Sequence, residues 1–314
     1  MDERADGLGQ VFWNPDEKRL RALFRVPVAL ALGLLAGYLV FTVVGVTSAA
    51  LGLPSTARTI VLLALVFVAI LIVAVFIDRR SLRGFGLGGT GWLADLLAGL
   101  VVGFVMVAVA VGVLLLAGAG TIDSTAPTAT LGLTGLVAGF LFYAGVGAVE
   151  EFIIRGYLLV NVAEGVRGVV DTDRTAVVVA VVGTAGLFGF LHAANPGGTT
   201  LSLLNITLAG IFFGLVYAVT GRLAFPIGVH ITWNFALGPV FGLPVSGLTA
   251  DASLVAVEPS GSTLLTGGSF GPEGGLVMLA AIAAGVGAFV GWCRLRGGSL
   301  AVDERIAVPD LWSQ

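Results

Sequence analysis

The chain has 314 residues, 57% of them apolar and 11% charged, with a formal net charge of -3. A soluble chain of this length carries about a quarter charged residues, so an ordinary soluble domain is excluded and a bilayer becomes the expected solvent. No basic patch interleaved with aromatics occurs, which excludes nucleic acid as a partner. The one cysteine, Cys293, has no internal disulfide partner.

A run of about 20 mainly apolar residues spans a bilayer as a helix. The first such run follows Lys18, Arg19, Arg21 and Arg25, and the stretch Val26 to Leu53 carries no charge. It exceeds the roughly 7 to 15 residues of a signal's apolar core, so an uncleaved first helix is predicted. In chain order the predicted spans are 26–53, 59–77, 93–118, 133–163, 174–192, 201–220, 223–245 and 274–293. Leu53-Pro54, Asn195-Pro196-Gly197-Gly198 and Phe225-Pro226 punctuate them. The expectation is an all-α polytopic membrane protein of about eight transmembrane helices in one bundle, with glycine allowing close helix contact.

Cytoplasmic loops collect Lys and Arg. Placing the N-terminus inside puts the basic tail, Arg79, Arg80, Arg83, Arg167, Arg174, Arg222, Arg294, Arg296 and Arg305 on the cytoplasmic side, and leaves only Arg58 outside. The outer segments carry Asp123, Asp251, Glu258 and Glu273 instead. A multi-pass protein of the cell membrane with both termini cytoplasmic follows: residues 1–25 form one tail, 26–297 the membrane domain, and 298–314 the other tail.

Three spans hold polar residues that a bilayer disfavours. Glu150, Glu151 and Arg155 lie in the fourth, where one charge at the helix centre costs about 2.5 to 3.5 kcal/mol. Glu151 and Arg155 share a face and can pair, while Glu150 points about 100° away. His192 ends the fifth span four residues after Phe188, and His230 and Asn234 share a face of the seventh. Taken singly, the ion pair reads as a packing lock and each histidine as a hydrogen-bonded core residue. Together they read as a site.

These motifs, E-E-x-x-x-R at Glu150, Glu151 and Arg155, F-x-x-x-H at Phe188 and His192, and H-x-x-x-N at His230 and Asn234, resemble in order those of the CAAX protease and bacteriocin-processing family, also called the Abi family, of intramembrane endopeptidases. The resemblance covers about residues 130 to 240 and makes 26–297 a transmembrane protease domain. It implies Glu150 as general base helped by His192, His230 and Asn234 as oxyanion stabilisers, and Glu151 with Arg155, alongside Phe188, as support. It also implies membrane lipids and a membrane-associated or lipidated peptide as partners, with CAAX-type C-terminal processing as one form of the reaction.

Peptide hydrolysis needs a base for water, donors for the oxyanion and a proton for the leaving amine, and these side chains supply all three without a cofactor. Zinc held by Glu150, His192 and His230 stays open, although the H-E-x-x-H turn is lacking. Two other classes also stay open, a proton or ion transporter and a catalytically silent immunity or scaffold protein. Counting along straight helices puts Glu150 near mid-membrane but His192 near the outer surface. The Asn195-Pro196-Gly197-Gly198 turn is therefore expected to end the fifth helix inside the bundle.

Overall fold

The computed structural model describes residues 11–123, 132–250 and 252–312. It is a helical bundle: α1 (Ala22–Leu51), α2 (Ser55–Asp78), α3 (Trp92–Leu116), α4 (Gly132–Val166), α5 (Asp173–Leu191), α6 (Thr200–Thr220), α7 (Ala224–Phe235) and α8 (Val277–Leu295). A two-residue hairpin, β1 (Trp13–Asn14) with β2 (Arg19–Leu20), precedes α1, and β3 (Gly120–Asp123) pairs antiparallel with β4 (Ala256–Pro259). The first predicted span begins four residues early, so Arg25 lies inside α1.

Among the described residues, seven helices are long and apolar enough to cross a membrane, rather than the eight expected. The predicted seventh span, 223–245, is α7. It runs 12 residues, passes into a π turn at Ala236–Val240 that contains Pro239, and ends there. Its residues from Ala224 to Asn234 are all buried. An apolar run buried on every side has the composition of a lipid-facing span without its length.

The reason α7 fits is glycine. A Cβ at Gly99 of α3 would stand 2.3 Å from the Phe225 carbonyl oxygen, and one at Gly103 would stand 2.2 Å from Thr232 Oγ1. From the other side, a Cβ at Gly228 of α7 would meet the Leu96 carbonyl oxygen at 2.4 Å. Backbones this close leave no room for a side chain, so α3 and α7 pack as a unit.

At one end of the bundle Arg19, Arg25, Arg80, Asp78 and Asn161 are buried together beneath Glu164. Arg80 Nη2 pairs with Glu164 Oε2 at 2.6 Å, Arg25 pairs with Asp78 and Glu164, and Asn161 Nδ2 donates to Asp78 Oδ2 at 3.1 Å. Removing two charges of opposite sign from water together leaves neither uncompensated. This cluster ties the β1–β2 hairpin, α1 and the end of α2 to α4. The segment expected as a C-terminal tail folds onto the same end: Asp303 N–H donates to the Ala218 carbonyl at 2.7 Å, and Trp312 N–H to that of Arg79 at 3.0 Å.

Candidate active site

The α4 helix changes winding where the charges lie. It is α-helical through Glu151 and then π-helical over Phe152–Leu159, which carries Arg155. Such single π stretches recur at functional sites, because an extra residue per turn re-aims the side chains beyond it. Glu151 and Arg155 are fully buried and joined, Arg155 Nη1 to Glu151 Oε1, at 2.8 Å. The predicted pair is therefore present. Arg155 Nη2 also donates to the Gly210 carbonyl at 3.2 Å, and the guanidinium lies over the rings of Phe188, 4.5 Å from its centroid, and Phe213, 5.3 Å.

His230 stands between the two carboxylates. Its Nδ1 is 2.8 Å from Glu151 Oε1. An ionised carboxylate only accepts, so Nδ1 carries the proton and Nε2 is left as the variable atom. That Nε2 faces Glu150 Oε2 at 3.8 Å. The ring stacks on Phe213, with centroids 5.6 Å apart and planes 20° apart, and meets Phe188 edge-on. Two aromatic walls and one hydrogen bond thus hold the imidazole.

Glu150 differs from its neighbour as the helix angle requires. Its side chain is 37% exposed against 0% for Glu151. It lines a cleft of about 580 Å³ between the first half of α4 and the segment after α7, with Asn234 and Ser246 in the same wall. Asn234 also reaches a smaller cavity of about 40 Å³ that it shares with His230, Trp233 and Glu273. No hydrogen bond holds the Asn234 amide among the described residues, which leaves its two donors available to a bound group.

His192 is placed differently from its expected partners. It caps the C-terminus of α5, its Nδ1 lies 2.8 Å from the Phe188 carbonyl oxygen, and its ring packs on the edge of Phe188. Among the described residues no hydrogen bond or ion pair joins it to Glu150, His230 or Asn234. The last turn of α5 reaches the site through Phe188, which touches Arg155 and His230. The turn after His192 is largely exposed rather than enclosed within the bundle as expected, and it is tied to the segment after α7: Asn195 Nδ2 donates to the Ser246 carbonyl at 3.0 Å, and a Cβ at Gly197 would meet Ser269 and Phe270. The capping box of Thr199 with Ser202 then starts α6.

Glu273 was read from sequence as an acidic residue of an outer loop, yet it is 4% exposed and belongs beside the site. It accepts from Trp233 Nε1 at 2.8 Å, from Ser246 N–H at 2.5 Å and from Ser246 Oγ at 2.9 Å. Asn205 of α6 donates to the Glu273 and Gly275 carbonyls at 2.9 Å each. These bonds clamp the segment after α7 onto the residue that precedes Asn234. A partnership across 27 to 40 residues of irregular chain leaves no periodic signal in sequence.

For zinc, the three candidate ligands do not gather. Among the described residues no group of three or more His, Cys, Asp or Glu side chains is arranged to hold a metal ion. Glu151 on Nδ1 leaves Nε2 of His230 open, as in a metal-binding imidazole, so it is the want of a third gathered side chain among the described residues that keeps this donor set from a tetrahedral site.

A family model described as Rce1-like, type II CAAX prenyl endopeptidase, matches residues 132–236. That interval contains all three motifs, from Glu150 to Asn234, and agrees with the resemblance seen in the sequence. No curated protein and no solved structure matches the chain.

Proposed function

From the Rce1-like core at residues 132–236, the signature of a membrane protease family, we propose that this chain is an intramembrane endopeptidase in which Glu150 activates water without a bound metal. The observation that carries the reading is the pair of unequal carboxylates around one imidazole. Glu151 holds Nδ1, and Glu150, open to the cleft, stands 3.8 Å from Nε2. Orientation of an imidazole by a buried carboxylate is a recurring device of acid and base catalysis.

In this mechanism a water in the cleft gives its proton to Glu150 as its oxygen attacks the peptide carbonyl. The Asn234 amide, one turn after His230, donates to the developing oxyanion. His230 Nε2, 3.8 Å from Glu150 Oε2, offers its lone pair to the Glu150 carboxyl once that group has taken the proton, and Glu150 then gives the proton to the leaving amine. His192, with Nδ1 tied to the Phe188 carbonyl, is not among the residues lining the cleft and takes no proton in this scheme. Arg155 and Glu151, paired and fully buried, hold the site in place and stay out of the reaction.

The orientation with the arginine-rich end and both termini in the cytoplasm belongs to the same proposal. Mass spectrometry of candidate peptides incubated with the purified protein and with Glu150→Gln tests the activity. Cleavage that persists in Glu150→Gln would remove Glu150 as the base.

A further inference from the structure

The cleft at Glu150 has a direction. Its wall includes Thr56, the second residue of α2, and Gly135, near the start of α4, as well as Val146, Glu150, Asn234 and Leu248. The opposite end of α2 is Asp78, and the opposite end of α4 carries Glu164, and both sit in the arginine cluster of Arg19, Arg25 and Arg80. Thr56 and Asp78 are 22 residues apart on one helix, about 33 Å at 1.5 Å per residue, which is the thickness of a hydrocarbon core. The cleft therefore runs from Glu150 and Asn234 towards the face of the bundle farthest from the arginines.

The cleft also has a sign. Among the described residues lining it, Glu150 is the one charged side chain, and none is Lys or Arg. Arg58 of the same end of α2 is not in the wall. Arg155 is buried behind Glu151 and under two aromatic rings, so it offers no charge to the cleft. Apart from Tyr143, the rest of the wall is small or apolar, with the Asn234 amide at its inner end.

We propose that this cleft takes an extended peptide segment lacking acidic residues, presented from the side of the membrane opposite the arginine-rich end, which by the distribution of arginine is the extracytoplasmic side. The proposal rests on the protease reading and adds the side and the charge of its substrate. Glycine and alanine in the wall leave width for a main chain, and Asn234 is free to meet a backbone carbonyl. A substrate carboxylate would face Glu150 with no cation to offset it.

The test separates this from catalysis by measuring access rather than cleavage. A Val146→Cys, Cys293→Ser variant of the full chain is treated with a membrane-impermeant maleimide in intact cells and in inverted membrane vesicles, with and without an Ala/Leu/Ser peptide or its single-Asp and single-Lys variants. Labelling in intact cells, slowed by the neutral and lysine peptides but at least about tenfold less by the aspartate peptide, the discrimination expected when a second carboxylate approaches Glu150, is the expected result. Labelling confined to inverted vesicles, labelling from neither side, no slowing by the neutral peptide, or equal slowing by the aspartate peptide each overturns the proposal. Absence of cleavage with labelling and protection as expected would count against the protease reading alone.

Discussion

His230 and Glu151, 79 residues apart in the chain, are joined by a 2.8 Å hydrogen bond between Nδ1 and Oε1 at the centre of the bundle. Glu151 Oε1 simultaneously accepts from Arg155 Nη1 at 2.8 Å. One carboxylate oxygen thus sets both the tautomer of the imidazole and the position of the guanidinium.

Substitution of Glu151 is therefore expected to affect more than substitution of Glu150. Glu151→Gln leaves Arg155 buried without its counter-ion, and Arg155→Ala leaves Glu151 so, each at a cost of about 3 to 5 kcal/mol. Glu150→Gln touches a half-exposed group and should keep the parental melting temperature while abolishing cleavage. Thermal unfolding in detergent beside a peptide cleavage assay checks this. Equal destabilisation by all three would end the division of roles between the two carboxylates.

Asn234 and the two histidines should separate kinetically. Asn234→Ala removes the proposed oxyanion donor, with an expected loss of about 100- to 1,000-fold in kcat, and little change in stability, since its side chain makes no hydrogen bond among the described residues. His230→Ala should cost more than His192→Ala, because His230 Nε2 stands 3.8 Å from Glu150, whereas among the described residues no hydrogen bond or ion pair joins His192 to Glu150. The reverse order of the histidines, measured on one peptide, would move the base's partner to α5.

Metal dependence has a direct measurement. The purified active protein is expected to hold substoichiometric zinc by elemental analysis and to keep its activity after chelation and desalting. Stoichiometric zinc that tracks activity through removal and return, and that is lost in both His192→Ala and His230→Ala, would replace the water-activating carboxylate with a metal site and leave the protease reading in place.

The contact of α3 with α7 predicts a sharp size limit. Gly103→Val and Gly228→Ala place atoms where Thr232 Oγ1 and the Leu96 carbonyl already lie, and overpacking of this kind typically costs about 1 to 3 kcal/mol. Gly112→Ala on α3, which meets nothing within 4 Å, should be neutral or stabilising. Melting temperatures of the three variants decide the matter, and tolerance of Gly228→Ala would mean that the two helices are less closely apposed.

Much of this was legible because its signals are local. Twenty-residue apolar runs gave seven helices to within a few residues, and the four-residue spacing of Glu151 and Arg155 gave their ion pair. The spacing of Glu150 from Glu151 likewise gave one open and one buried carboxylate. What was illegible depends on distant partners. The sequence of 223–245 has the composition of a span, but its enclosure by α3, α4 and α6 is a property of those helices, and Pro239 in a π turn shortens it. Glu273 looked like a solvated acid because Trp233 and Ser246, which hold it, are far away in sequence. The choice between His192 and His230 as the neighbour of Glu150 depended on interhelical geometry that spacing within a helix does not contain.

The brevity of α7 bears on how the protein is made. At 12 residues, about 18 Å of rise, and carrying His230 and Asn234, it is a poor candidate for lateral release into lipid by itself. Its stable location exists only once α3 offers Gly99 and Gly103 and α4 offers Glu151. This short helix is thus expected to be a late arrival in biogenesis, held back until earlier helices have met. An incompletely assembled chain would then lack His230 at Glu150, and the proposed proteolytic chemistry would begin only with completion of the bundle itself.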